Sequence, residues 1–400
     1  MLRKYLDRVK PNFEEGGRLH AFHSVFDGFE TFLYTPRTTS ASGVHIHDNL
    51  DSKRIMITVV AALLPCLLFG MYNTGYQNYL GSGLQGSFWE MFIYGFLAVL
   101  PRIVVAYVVG LGIEFVVAQY RREEIQEGFL VTGILIPLIC PVETPLWMIA
   151  VATAFSVIFV KEVFGGTGYN VFNVALVTRA FLFFAYPAQM SGDRVFISSS
   201  PICGLGGHVN FTDGISGATP LGQIAAFAGG DFHLTNILGE TLSSWDAFLG
   251  LIPGSFGETS TLCILIGAVI LLVSGIASWK IMFSVFAGGL CMGWIANMCA
   301  TPTYPASFLS PVDQILYGGF AFAAVFMATD PVTAARTETG KFIYGFLIGV
   351  VAILIRTYNN GYPEGAMLAV LLMNALAPLI DYCVVQSNIS RRKARLKLKA

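Results

Sequence analysis

Apolar runs separated by short polar connections make up most of this chain of 400 residues. The runs reach, or nearly reach, the length needed to cross a bilayer. They begin near ten positions: Ile55, Phe88, Phe129, Leu146, Val171, Leu262, Ile281, Val312, Phe342 and Ala366. This pattern predicts an all-α integral membrane protein with about ten transmembrane helices.

Two stretches of the chain repeat one order of apolar and polar segments. The first begins at Phe129 and contains Pro137 and Pro141, and the second begins at Phe320 and contains Pro331. In each, a short apolar run stopped by Pro precedes a longer span, a turn with Gly and Asn, and another span. Five spans separate the two copies, so the second is upside down, which predicts two inverted five-helix repeats with broken helices.

Broken helices at bilayer depth are tolerated where they line a cavity or are buried in protein, because their freed backbone groups need partners. The functional axis is therefore expected where the breaks meet. The alternative is that the prolines only ease helix packing.

Composition and charge agree with a membrane protein. Apolar residues make up 54% of the chain and charged residues 12%, a balance that is rare in soluble domains. With the N-terminus inside, the inward connections hold 20 of the 24 Lys and Arg residues, and Arg194 alone lies on the other side. This bias fits the positive-inside rule and predicts that both termini are cytoplasmic.

These features divide the chain into five segments. They are a cytoplasmic N-terminal segment (1–54), a first five-helix repeat (55–186), an extracytoplasmic loop (187–260), a second five-helix repeat (261–388) and a basic cytoplasmic tail (389–400).

Ionisable residues in or beside the spans are candidates for function, because a carboxylate at bilayer depth is costly unless it is paired or hydrated. Glu114 and Asp330 are candidates for an ion path or a polar cofactor contact. Asp381 lies near the inner interface and can equally form a salt bridge. Snorkelling or pairing explains the three arginines in or at the ends of spans, which are Arg102, Arg179 and Arg356.

The polar run DGISGATPLG (213–222) stands out in this apolar chain. An Asx turn followed by a Ser/Thr cap explains it locally. The pattern D-x-x-S-G-A-T, formed by Asp213, Ser216, Gly217, Ala218 and Thr219, also resembles a flavinylation motif. In that motif the threonine hydroxyl is esterified to the phosphate of FMN outside the cytoplasmic membrane, which is the side that the Lys and Arg distribution predicts for this loop.

The resemblance extends along nearly the whole chain. The segments FEEGG (13–17), DSKRIMI (51–57), GMYNTG (70–75), EGFLVTGILIPLICP (127–141), KEVFGGTGYNVFN (161–173), FMATDPV (326–332) and YPEGAMLA (362–369) are similar to the B subunit of the Na+-translocating NADH:quinone oxidoreductases. That family is related to the D subunit of the Rnf complexes, and its architecture resembles that of urea channels.

The resemblance implies cofactors and site residues that composition does not. FMN would be bound to Thr219 through a phosphoester, and a non-covalent riboflavin would lie near Asn170 and Asn173. A quinone region would include Gly110, Glu114, Phe129 and Leu130, together with Phe22 and Asp27 of the N-terminal segment. A sodium path would include Glu114, Asp330 and Asp381.

The implied function is the membrane subunit of a sodium-pumping NADH:quinone oxidoreductase in the bacterial cytoplasmic (inner) membrane. Its expected partners are the other five subunits (A, C, D, E and F), a flavin transferase during maturation, and quinone, with no nucleic acid. The chain has no G-x-G-x-x-G that opens a βαβ unit, so NADH oxidation is expected on another subunit. The alternatives are an Rnf-type D subunit, which would lack the N-terminal quinone segment, and a small-solute channel, which would have no use for the flavinylation motif.

Overall fold

The computed structural model describes residues 2–14, 17, 19, 23–34, 42–44, 52–121, 128–191, 195–200, 217–227, 233–359, 361–362 and 364–397. Within these ranges the chain forms helices joined by turns, and one isolated antiparallel bridge pairs Thr235 with Thr241. The helices are α1 (Leu2–Val9), α2 (His23–Leu33), α3 (Ser52–Ser82), α4 (Phe88–Arg121), α5 (Phe129–Ile139), α6 (Leu146–Ser156), α7 (Val174–Ala185), α8 (Pro187–Met190), α9 (Pro220–Ala225), α10 (Ser244–Leu249), α11 (Thr261–Val273), α12 (Trp279–Met298), α13 (Pro311–Leu316), α14 (Phe320–Phe322), α15 (Glu338–Tyr358) and α16 (Ala366–Lys397).

Five of the described helices are long and apolar enough to cross a membrane, namely α3, α4, α12, α15 and α16. Shorter apolar helices, α5, α7 and α11, lie between them along the chain. The expectation of a helical membrane protein is thus supported. The count of ten spans, the inverted repeat and the cytoplasmic termini stay predictions.

Small residues let the long helices approach one another closely. A Cβ at Gly288 of α12 would overlap the backbone of Phe346 in α15, and one at Gly349 of α15 would overlap the backbone of Val285 in α12. Packing of this kind suits a membrane, where lipid tails are as apolar as the side chains and helices associate through close contact.

The two Pro-stopped runs form short helical segments at the centre of the fold. The α5 helix ends at Ile139, before Cys140 takes an extended conformation, and α14 continues into a π-helical turn at Ala323–Met327. Ile136, Leu138, Phe320 and Phe322 are almost completely buried. Helices that are apolar all round are buried in the core of a large protein, and these two segments fit that rule.

A pair of glycines ends the run that the sequence predicts as a single span from Val312. Gly318 and Gly319 both have positive φ angles, 67° and 68°, which residues with a side chain rarely adopt. The chain therefore turns between α13 and α14, and the apolar run is split into two short pieces.

A second π-helical turn, Val157–Glu162, follows α6 directly. The amide of Val163 donates to the carbonyl oxygen of Ile158 at 3.0 Å, five residues earlier. Such turns are rare and often occur at functional sites. This one places Lys161 inside the protein, where its side chain is buried.

Candidate functional site

A cavity of about 120 Å³ lies where the two halves of the chain meet. We call it the Asn173 cavity. It is lined by α3, α5, the turn before α7, the end of α11 and the segment after the π-helical turn Ala323–Met327. Its polar lining consists of Thr132, Lys161, Thr167, Asn170, Asn173, Thr329 and Asp330. The sequence-predicted residues Asn170, Asn173 and Asp330 are therefore brought together.

Asn173 holds two elements in place at this cavity. Its side-chain oxygen accepts from the amide of Leu176 at 3.2 Å and so caps the N-terminus of α7. Its side-chain nitrogen lies 3.4 Å from a carboxylate oxygen of Asp330. The neighbouring Asn170 donates to the carbonyl oxygen of Phe172 at 3.0 Å, which shapes the turn between them.

Asp330 is held by short-range contacts after the broken segment. Its carboxylate accepts from the amide of Val332 at 3.1 Å and from the hydroxyl of Thr333 at 3.1 Å, in addition to Asn173. The carboxylate is therefore fixed at the wall of the cavity by dipoles from both halves of the chain.

Glu114 and Lys161 form a buried ion pair beside this cavity. The residues are each 4% exposed, and the ammonium of Lys161 donates to Oε1 of Glu114. The other carboxylate oxygen, Oε2, has no hydrogen-bond partner among the described residues. Glu114 does not line the cavity itself, but Lys161 does.

The chemistry of the Asn173 cavity suits an aromatic ring system with polar edges. Each Asn amide carries two N–H donors, and at most one of them is used in the contacts above. An engineered apolar cavity of about 150 Å³ holds one benzene ring. The Asn173 cavity is smaller than that, so its two Asn side chains could hold a polar edge of a three-ring isoalloxazine, but the cavity does not enclose the whole ring system.

Thr219 lies at a second, smaller pocket of about 30 Å³, which we call the Thr219 pocket. Its hydroxyl accepts from the amide of Gly222 at 3.1 Å and caps α9, as the local interpretation of the motif predicts. Thr219 is half-buried at this pocket, which has room for about two water molecules. The pocket itself is therefore too small for a flavin ring system. Gly217 and Ala218 precede the cap, while Asp213 and Ser216 lie outside the described residues.

A buried arginine pairs with two glutamates that line the Thr219 pocket. Arg179 of α7 donates to a carboxylate oxygen of Glu258 at 2.7 Å, to the hydroxyl of Ser255 at 3.3 Å and to the carboxylate of Glu364. Pairing is thus the correct one of the two explanations offered for Arg179. The sequence did not single out the two glutamates, although an arginine in an apolar run is itself a signal that carboxylates lie nearby.

Arg356 stabilises the loops on the same side of the protein. It is almost completely buried and donates to the backbone carbonyl oxygens of Gly318 at 3.3 Å and Glu364 at 3.1 Å, and to that of Gln314. These contacts therefore hold the turn at Gly318 and Gly319 against the segment that carries Glu364.

The structure describes the side chains of four of the six predicted quinone residues, which are Gly110, Glu114, Phe129 and Leu130. Gly110 of α4 faces Phe129, whose ring a Cβ at position 110 would overlap, and Phe129 is fully buried. Leu130 is partly exposed, and its carbonyl oxygen accepts from the hydroxyl of Tyr107. Phe22 and the side chain of Asp27 lie outside the described residues, although α2, which contains Asp27, contacts α4.

Asp381 lies apart from the residues that line the Asn173 cavity. Its carboxylate accepts from the amides of Arg336 at 2.8 Å and Thr337 at 2.9 Å, and from the hydroxyl of Thr337 at 2.6 Å. Both oxygens thus stabilise the segment that leads into α15. Its place on a sodium path stays a prediction.

Known proteins resemble this chain over nearly its full length. The B subunit of the Na(+)-translocating NADH-quinone reductase of Ectopseudomonas mendocina is 43% identical over 418 aligned residues, which cover 98% of this chain and 99% of the relative. The corresponding protein of Pseudomonas paraeruginosa is 44% identical with the same coverage, and that of Azotobacter vinelandii is 43% identical. Residues 39–390 match the NQR2, RnfD, RnfE family. The resemblance seen in the sequence motifs is confirmed, and the chain belongs to the NQR2, RnfD, RnfE family.

Proposed function

We propose that this chain is the membrane-embedded B subunit of a sodium-pumping NADH:quinone oxidoreductase of a bacterial cytoplasmic membrane. The observation that carries the proposal is the full-length similarity to proteins of that name, which includes the N-terminal segment. This segment is the part of the chain that distinguishes the quinone-linked enzyme from an Rnf-type D subunit. The five long apolar helices fit a membrane location.

In this proposal the chain would pass electrons across the membrane to quinone, with one flavin held at Thr219 and a second at the Asn173 cavity. FMN is attached to Thr219 through a phosphoester, and the half-buried position of this residue at the start of α9 supports the attachment. Asn170 and Asn173 hold riboflavin, which supplies one-electron chemistry when bound. The protein residues position the flavins and set the dielectric and charge around them.

The sodium path in this proposal starts at the carboxylates beside the Asn173 cavity. Asp330 offers carboxylate oxygens at the cavity wall, and Oε2 of Glu114 is a buried oxygen with no partner in the described part of the chain. Oxygen ligands of this kind are what a hard cation requires. Asp381 is the third carboxylate of the proposed path and lies in α16, next to the start of α15.

Quinone is reduced in this proposal beside the C-terminal half of α4, in a region formed by Gly110, Glu114, Phe129 and Leu130 with Phe22 and Asp27. The contact of α2 with α4 supports this grouping. The remaining five subunits supply NADH oxidation and the other electron carriers, and a flavin transferase attaches the FMN.

Covalent attachment at Thr219 is the sharpest test. The protein is expressed with its flavin transferase, denatured, and separated on a gel under ultraviolet light. We expect a fluorescent band that is lost in Thr219→Val and kept in Thr235→Val, a matched change in the same loop. A band that persists in Thr219→Val, or no band in the unmodified protein, would contradict the proposal.

A further inference from the structure

An open groove runs along the seam between α12 and α15, and we call it the α12–α15 groove. Its volume is about 380 Å³. Apart from Ser284, its lining is apolar and consists of Phe283, Ala287, Phe342, Ile343, Phe346 and Leu347. The hydroxyl of Ser284 is already used, because it donates to the carbonyl oxygen of Lys280 at 2.6 Å. The groove therefore offers contact for hydrocarbon.

Small residues bring the two helices together beneath this groove. A Cβ at Gly345 of α15 would overlap the hydroxyl of Ser284 in α12, and one at Gly288 of α12 would overlap the backbone of Phe346 in α15. The large side chains beside this seam point outward, and Phe283 and Phe346 are 62% and 40% exposed. Close backbone packing thus leaves a channel with aromatic walls on the surface of the protein.

The dimensions of the groove suit hydrocarbon chains better than a helix. Residues 342–347 rise about 7.5 Å along α15. A volume of about 380 Å³ over that length corresponds to a cross-section of about 50 Å². A helix with its side chains is about 10–12 Å across, which is about 80–110 Å². The groove is therefore too narrow to hold a whole helix.

Basic side chains gather at one end of the groove. The ammonium of Lys280 pairs with Oε2 of Glu338 and lies 5.9 Å from the centre of the Phe342 ring, which lines the groove. Lys341 pairs with the other carboxylate oxygen of Glu338 at 2.9 Å. Two ammonium groups thus share one carboxylate, whose side chain is 65% exposed. Among these three side chains, one positive charge is left uncompensated.

This end of the groove has the features of a membrane interface. Both α12 and α15 begin here, and the exposed ring of Trp279 stands edge-on to Phe342 with 5.9 Å between the ring centres. Trp is enriched where a helix leaves the hydrocarbon core. The distribution of Lys and Arg predicts that the connections before both helices are cytoplasmic. Basic pockets between helices on that side bind anionic lipid head groups.

We propose that the α12–α15 groove binds an anionic phospholipid of the cytoplasmic leaflet. Its phosphate oxygens accept from the ammonium groups of Lys280 and Lys341, each of which has three donors. Its acyl chain lies along Phe342 and Phe346. The lipid balances the charge that Glu338 leaves over and covers the apolar walls. This inference uses the membrane location of the proposed function and none of its cofactors.

The test is photolabelling of the purified complex in phosphatidylcholine nanodiscs. They contain a trace of phosphatidylglycerol with a photoreactive diazirine in one acyl chain, or of phosphatidylcholine with the same chain. We expect the phosphatidylglycerol probe to label residues 283–287 and 342–347 at least fivefold more. Lys280→Gln combined with Lys341→Gln should remove this preference, because each basic residue near the membrane surface favours anionic lipid by about fivefold. Lys393→Gln, at the exposed end of α16, is the matched control and should keep it.

Two further variants separate the head group from the acyl chain. Glu338→Gln removes the carboxylate that competes for both ammonium groups, so the preference for phosphatidylglycerol should rise. Ala287→Phe fills the groove and should abolish labelling by both probes. Leu290→Phe, three residues further along α12 and outside the groove lining, should leave labelling unchanged.

Equal labelling by the two probes in the unmodified complex, or labelling that persists in Ala287→Phe, would overturn the inference. A photoreactive side chain introduced at Ala287 provides an independent measurement, and we expect it to crosslink to lipid. A crosslink to another subunit would show that a partner helix covers the groove, and the inference would be wrong. The flavin on Thr219 is measured separately by gel fluorescence, so failure of this inference is distinguishable from failure of the proposed function.

Discussion

The side-chain amide of Asn173 lies 3.4 Å from the carboxylate of Asp330, a residue 157 positions further along the chain. The same amide group caps α7 through its oxygen. One side chain thus sets both the start of a helix in the first half of the chain and the position of a carboxylate in the second half. The geometry of the Asn173 cavity depends on this contact.

The two roles of Asn173 can be separated by substitution. Asn173→Ser keeps an oxygen for the cap but is too short to reach Asp330, so riboflavin content should fall while thermal stability is retained. Asn173→Leu loses the cap of α7 and the contact with Asp330. Loss of the cap should lower the free energy of unfolding by about 1 kcal/mol. Flavin content and unfolding temperature of the purified complex provide the measurement. Equal riboflavin content in Asn173→Ser and the unmodified protein would contradict the assigned role.

Gly110 is expected to be intolerant of any side chain because Phe129 occupies the space of its Cβ. Gly110→Ala should destabilise the protein by about 1–3 kcal/mol through overpacking. Gly112, two residues further along α4, has nothing within 4 Å of its Cβ position, so Gly112→Ala is a matched control without loss. Phe129→Leu should partly restore the stability of Gly110→Ala. No recovery in the double variant would show that the ring is not the obstacle.

Asp381 and Thr337 should behave as a coupled pair. Asp381→Asn and Thr337→Val each weaken the 2.6 Å contact that anchors the start of α15. Their effects on unfolding should be non-additive, with a coupling energy of about 0.5–3 kcal/mol. If Asp381 also belongs to the sodium path, Asp381→Asn will raise the Na+ concentration needed for half-maximal turnover and Thr337→Val will not. Equal Na+ dependence in both variants would restrict Asp381 to the anchoring role.

Arg179 should be among the residues least tolerant of substitution. Arg179→Met leaves the carboxylate of Glu258 buried without its cation. Removing one partner of a buried ion pair lowers the free energy of unfolding by about 3–5 kcal/mol. Arg121→Met removes a partly exposed arginine that pairs with Glu162 at 3.8 Å, and its loss should cost about 1 kcal/mol or less. In detergent, Arg179→Met should therefore unfold at a clearly lower temperature than Arg121→Met. The reverse order would contradict the assignment of Arg179 as a buried structural cation.

The sequence predicts the parts of this structure that depend on local pattern. Apolar run length and proline position anticipate the short α5 helix. The family resemblance of the turn KEVFGGTGYNVFN, and not its local pattern, implies that Asn170 and Asn173 belong to one site. The buried position of Lys161 was not predicted, because a single lysine in a turn is typical of a cytoplasmic connection. Its pairing with Glu114 follows from the packing of α4 against the π-helical turn, which no local pattern encodes.

Long-range electrostatic clusters escape prediction for the same reason. Glu258 and Glu364 are 79 and 185 residues from Arg179 along the chain. Each lies in a polar connection where a glutamate needs no special explanation. Only the arginine, in an apolar run, carries a signal, and that signal indicates that a partner exists without identifying it.

The π-helical turn Val157–Glu162 makes the direction of the Lys161 side chain dependent on backbone geometry. An α-helix turns by about 100° per residue, whereas a π-helical turn, closed by hydrogen bonds five residues apart, rotates less per residue. If the same residues took ordinary α-helical geometry, the Lys161 side chain would point in another direction and leave Glu114. The ion pair between α4 and the wall of the cavity is therefore encoded by the shape of one turn as well as by residue type.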